Sequence, residues 1–122
     1  MSEYFHLFVY GTLRSNGTAA WRLADCELVG TGTVGGVLYD IDGEYPALMV
    51  YGGTPVRGEV WRCPAAMLLA LDEYEDVASG LFRRIGVEVQ LETGGTQGCW
   101  AYVVGPKLAR KLTTAQRIEE WV

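Results

Sequence analysis

Across 122 residues only one stretch, 67–75, spaces its apolar residues as a helix does. At about 100° per residue Met67, Ala70, Leu71 and Tyr74 share one sector, with Leu68 at its edge. Elsewhere apolar residues run together or alternate, punctuated by Gly, Pro and Asp, which is the pattern of strands and turns. A chain of this size is expected to build one core. The expectation is therefore an α+β fold forming a single domain over residues 1–122. Its centre is a mixed, barrel-like β-sheet of about six strands, with one main helix and one or two short helices.

Residues 5–10, Phe-His-Leu-Phe-Val-Tyr, form a near-continuous apolar run that reads as a central strand covered on both faces. His6, the only histidine, reads as a strand residue rather than a catalyst. A chain with one histidine cannot easily build a Ser-His or Cys-His pair elsewhere. The strand stops at Gly11, in a corner where successive backbone N–H groups could form an anion-binding nest; a plain tight turn fits the same residues. Thr18 is placed to cap a short helix ending at Leu23 or Ala24. Strand pieces are expected at 28–34, 37–39, 45–50, 56–61, 82–90 and 99–104. Asp40-Ile41-Asp42-Gly43 supplies a hairpin turn and Gly52-Gly53 a second turn. Pro64 suits the first turn of the 67–75 helix. Residues 114–121 are expected to close the chain as a short helix anchored by Ile118 and Trp121.

Composition narrows the function. A net charge of −5 and scattered Lys and Arg argue against nucleic acid and against an anionic membrane surface. No apolar run reaches the roughly 20 residues of a membrane span, and the N-terminus lacks the pattern of a signal peptide. Cys26, Cys63 and Cys99 are odd in number and far apart in sequence, as expected of reduced thiols in a cytoplasm. None has a Cys or His at metal-binding spacing, so no metal site is expected. Oligomeric state is not encoded in any of these patterns.

One residue breaks the pattern of its own helix. Asp72, Glu73 and Asp76 fall outside the apolar sector, whereas Glu75 falls inside it. A carboxylate there is costly unless something pairs or uses it. It could snorkel from a frayed last turn, pair with Arg83 or Arg84, or act in chemistry. Burial, with Asp72 and Asp76 adding like-charge repulsion, should raise its pKa.

Four motifs occur in a telling order: Tyr10-Gly11-Thr12-Leu13-Arg14, Tyr45-Pro46-Ala47, Gly58-Glu59-Val60-Trp61, and Leu71-Asp72-x-x-Glu75. In this order and spacing the chain resembles the gamma-glutamylcyclotransferase-like superfamily over nearly its whole length. That superfamily includes the plant avirulence-induced small proteins. The resemblance implies a γ-glutamyl pocket in a mixed barrel, with Glu75 as general acid/base. Tyr10, Gly11, Thr12 and Leu13 would cradle the ligand, and Tyr102 would line the pocket. Phe82 stands where some relatives carry a tyrosine, which bears on substrate identity.

The implied reaction suits these residue types. The α-amine of a γ-glutamyl compound attacks its own γ-carbonyl, giving 5-oxoproline and a free amine. Nucleophile and electrophile share one molecule, so the enzyme chiefly holds an attack geometry. One carboxylate can take the proton from the attacking amine and deliver one to the leaving amine. Backbone N–H groups of residues 11–13 would stabilise the carbonyl oxygen. No metal or cofactor is required. The alternative is a binding module that holds such a ligand without turnover; a purely structural subunit leaves Glu75 unexplained. Specificity would lie in the segments 15–19, 51–54 and 77–80.

Overall fold

The computed structural model describes residues 3–11, 13, 14, 17, 20–112, 115–118, 120 and 121. The elements, in chain order, are β1 (Tyr4–Val9), a 3-10 turn (Ala20–Leu23), β2 (Glu27–Ile41), β3 (Tyr45–Pro64), a second 3-10 turn (Ala65–Met67) and α1 (Leu68–Tyr74). They continue with β4 (Phe82–Leu91), β5 (Thr96–Val104), α2 (Pro106–Ala109) and β6 (Gln116–Ile118). The sheet order is β3-β1-β5-β4-β2-β6, and β2 also pairs with β3. That last pairing closes five strands into a barrel and leaves β6 on the outside of β2. All pairings are antiparallel except β1 with β5, which makes the barrel mixed.

The apolar run of β1 is buried on both faces, as its composition requires. Phe8 and Tyr10 point into a cluster with Val34, Leu38, Leu48 and Val60, which draws on all five barrel strands. Leu7 and Val9 point the other way, into a cluster that takes in Leu71 of α1 and Leu108 of α2. Closure depends on a close approach at Gly32. A Cβ there would fall 2.7 Å from the Gln90 carbonyl oxygen, so only glycine lets β4 pack against β2 at this point.

Three expectations are corrected. Among the described residues of 114–121 there is no helix: Gln116–Ile118 is a strand, with Leu38 opposite Ile118 and Asp40 opposite Gln116. Gly52-Gly53 does not divide two strands. β3 runs on through it, and the pairing with β2 jumps from Gly36 opposite Thr54 to Val37 opposite Met49, so that residues 50–53 bulge out. Ala70 is exposed rather than part of the buried stripe, because α1 is only seven residues long and follows a 3-10 turn of different pitch. The proposed Thr18 cap lies outside the described residues.

The hairpin at 40–43 forms as expected. Asp42 and Gly43 both have positive φ, 55° and 72°, the signature of a type I′ turn. The Asp40 carboxylate accepts from the Gly43 N–H at 2.7 Å. This turn delivers Glu44, Tyr45 and Pro46 to the end of the barrel where β1 finishes.

Candidate active site

A cavity of about 380 Å³ opens at that end. β1 contributes Phe8 and Val9, with Tyr10, Gly11 and Leu13 following it; the β2–β3 hairpin contributes Glu44, Tyr45 and Pro46. Tyr74 and Glu75 come from the end of α1, Leu81 and Phe82 from the start of β4, and Tyr102 from β5. Glu75, Tyr10, Gly11, Leu13, Phe82 and Tyr102 thus meet at one cavity, although the sequence spreads them over most of the chain. Thr12 lies outside the described residues. Among the described residues, the lining holds two carboxylates, Glu44 and Glu75, and no Lys, Arg or His. No group of three His, Cys, Asp or Glu among the described residues is arranged to hold a metal ion.

The backbone after α1 aims Glu75. Glu75 is the C-cap, and Asp76 follows in the left-handed region at φ 55°. The Val77 N–H donates to the Asp72 carbonyl at 3.1 Å and the Asp76 N–H to the Glu73 carbonyl at 3.1 Å. These two bonds are the Schellman motif, which satisfies carbonyls that a helix end leaves orphaned. The last turn is therefore tied down rather than frayed, and Glu75 lines the cavity from it.

The ion pairs considered for Glu75 are not made. Arg83 is exposed, and Arg84 pairs instead with Asp72, Nε to Oδ1 at 2.9 Å. Among the described residues Glu75 forms no salt bridge. Burial pushes its carboxyl up to about 7, and the positive charge of Arg22 only partly opposes this. The sequence-based direction holds, but part of the proposed cause does not. Desolvation raises the value; Asp72 is engaged by Arg84, Asp76 is exposed, and neither contributes. Arg22, the offsetting charge, lies over the Tyr74 ring, 4.0 Å from its centroid.

Three phenols feel the Glu75 carboxylate. Burial raises the Tyr10, Tyr45 and Tyr102 hydroxyls above their ordinary range, and Glu75 adds to each shift. The Tyr10 hydroxyl is committed to the scaffold: it donates to the Tyr102 carbonyl and accepts from the Leu48 N–H at 3.3 Å. Tyr102 is held differently. Its hydroxyl donates to Asp72 Oδ1 at 2.6 Å. Asp72 and Glu44 are site neighbours that pattern reading did not single out. The helical phase of Asp72 places it outside the apolar sector, and Glu44 follows the 40–43 turn with no feature in the sequence to mark it. The available signal for Asp72 was its place one helical turn before Glu75 in the same motif.

Arg14, the last residue of the first motif, turns away toward the C-terminal segment. Its guanidinium bonds the Trp121 carbonyl at 3.0 Å and Glu120 at 3.2 Å. Gly11 has another neighbour: a Cβ on it would lie 2.5 Å from Pro46 Cγ. The first and second motifs therefore touch in space.

The barrel end encloses Glu75, whose carboxyl burial pushes up to about 7 and which forms no salt bridge among the described residues, an arrangement common in small-molecule sites. The sequence comparisons place the chain more narrowly. A sequence model of the family described as gamma-glutamyl cyclotransferase, AIG2-like, matches residues 7–122, and the chain belongs to that family. It is 30% identical over 140 residues to the gamma-glutamylaminecyclotransferase of Mus musculus, covering 96% of this chain and 83% of that protein. The crystal structure of an AIG2-like protein from Mus musculus matches with a TM-score of 0.85 at 24% identity, over 99% of this chain and 90% of that one. A uropathogenic E. coli-specific protein matches at 0.72 and 20% identity, over 98% and 90% of the two chains. Both structures speak for the shared fold.

Proposed function

We propose that the protein is a cofactor-independent gamma-glutamylcyclotransferase, releasing 5-oxoproline and a free amine from a γ-glutamyl amine or peptide. Glu75 is the general acid/base. The observation that carries this reading is a carboxyl facing a cavity without an ion pair among the described residues, with its pKa pushed up to about 7. A group that titrates near neutrality exchanges protons readily in both directions. It would accept a proton from the α-amine as that nitrogen attacks the γ-carbonyl. It would then return one to the departing amine as the C–N bond breaks.

The cavity volume of about 380 Å³ suits a glutamyl group with part of its leaving amine. Gly11 and Leu13 line the same space, which supports assigning their backbone N–H groups, with that of Thr12, to the developing oxyanion. Tyr10, Phe82 and Tyr102 would form the remaining walls around the substrate. The substrate is a small γ-glutamyl compound, and the setting is cytoplasmic; neither nucleic acid nor a membrane is a partner.

The test is incubation with a panel of γ-glutamyl amines, amino acids and peptides while 5-oxoproline is followed. Wild type should release it from at least one compound, and Glu75→Gln should not. A Glu75→Gln protein with normal turnover would end this mechanism. Saturable binding of the panel without release would leave a binding module.

A further inference from the structure

The Asp72 carboxylate lies one helical turn before Glu75 and has two partners. It accepts the Tyr102 O–H at 2.6 Å. It also holds Arg84, with Nε at 2.9 Å and a terminal nitrogen at 3.4 Å. The Arg84 guanidinium lies over the Trp100 ring, 4.3 Å from its centroid, so the pair is braced from the far side. A carboxylate paired with arginine only accepts, which fixes the direction of the tyrosine bond. The Tyr102 proton points at the helix. What its oxygen has left to offer is lone pairs.

We propose that Asp72 is a positioning residue: by holding the Tyr102 proton it makes the Tyr102 oxygen an obligate acceptor in the cavity, for an N–H of the substrate's α-ammonium. This rests on the cyclotransferase reading above. A γ-glutamyl substrate arrives with a charged amine carrying several N–H donors. Glu75 takes one proton from the ammonium to free the lone pair and hands it to the departing amine as the C–N bond breaks. It then takes the second proton, which the ring nitrogen sheds as it becomes the lactam N–H. Tyr102 accepts a second N–H and so anchors the amine in the cavity, in ground state and transition state alike. A free hydroxyl could instead turn its own proton toward the ammonium, which would repel the substrate. Tyr10 cannot substitute, because both its donor and an acceptor position are engaged by backbone.

The test separates positioning from stability. Asp72→Ala removes the acceptor, and KM for a γ-glutamyl amine should rise about tenfold, the scale of one hydrogen bond to a charged group, with kcat changed far less. Asp72→Asn keeps a carbonyl oxygen for Tyr102 but cannot form the ion pair. It should restore KM to near wild type while Tm stays lowered. Tyr102→Phe should raise KM as Asp72→Ala does, and the double variant should be no worse than Tyr102→Phe alone.

If Asp72→Ala or Tyr102→Phe leaves KM unchanged, the proposal is overturned while the enzyme stands. Additive effects in the double variant overturn it equally, since Asp72 would then act by another route. Tyr102→Phe decides the matter even if Asp72→Ala fails to fold. If wild type releases no 5-oxoproline from any γ-glutamyl compound, the functional reading fails and this proposal falls with it.

Discussion

Gly11 and Pro46 pack so closely that a methyl group on Gly11 would overlap the proline ring, 2.5 Å from Cγ and 2.9 Å from Cδ. Gly11 does not have positive φ, so the constraint is contact rather than backbone conformation. Gly11→Ala should therefore destabilise the fold by about 1–3 kcal/mol, the usual cost of overpacking. Pro46→Ala removes both clashing carbons. The double variant should recover much of the loss, and denaturation of the four proteins measures the coupling. Additive losses would mean that the two residues do not constrain each other.

The Glu75 carboxyl links stability to pH. Below about pH 4.5 it is protonated in folded and unfolded chains alike; its folded value is about 7. Between these values the folded chain keeps a proton that the unfolded chain gives up, so wild-type stability falls as pH rises through that window. Glu75→Gln lacks this dependence. It should be more stable than wild type by about 3 kcal/mol at pH 8 and indistinguishable below pH 4. Paired urea titrations across that range check the sign. In the same window kcat/KM of wild type should rise with pH as the base form appears.

Asp76 holds the left-handed position that follows the Glu75 C-cap. Glycine adopts this conformation without a steric penalty, and β-branched residues resist it. Asp76→Gly should stabilise by a few tenths to about 1 kcal/mol with activity intact. Asp76→Val should destabilise by about 1–2 kcal/mol and disturb the aim of Glu75, lowering kcat in the protein that remains folded. Thermal melts with rates normalised to folded protein distinguish the two effects.

Phe82 is buried, with its ring 5.9 Å from that of Tyr45 and tilted by 57°. It also lines the cavity. Phe82→Tyr should keep the fold and change which leaving amine is preferred, as a hydroxyl enters a space that already has polar neighbours. A loss of several kcal/mol would show that the ring edge faces apolar core instead.

What could be read in advance depended on how local the cause was. β1 was legible because burial on both faces forces an unbroken apolar run. The 40–43 hairpin was legible because Asp42-Gly43 encodes its own turn. Glu75 stood out because a helical stripe makes one misplaced carboxylate visible. By contrast, Gln116–Ile118 is extended because it pairs with residues 38–40 of β2, a partnership that no local pattern contains. The bulge at 50–53 is a register shift between strands, and a Gly-Gly pair resembles a turn equally well. Asp72 was hidden because its exposed-looking helical phase says nothing about Arg84 and Tyr102, which approach from other strands. Arg22 was missed for the same reason: its effect on Glu75 passes through space.

The bond from the Tyr10 hydroxyl to the Tyr102 carbonyl joins positions 92 apart in sequence. A chain emerging from the ribosome presents β1 first, while the parallel neighbour it needs, β5, is among the last strands made. During that interval Phe8 and Tyr10 have no closed interior to enter. The protein thus carries a long-range closure step that cannot begin until β5 has been made, and such topologies fold slowly and leave apolar strand edges open meanwhile. The arrangement that gathers distant residues around Glu75 therefore also lengthens the time for which the unfinished barrel is open to aggregation.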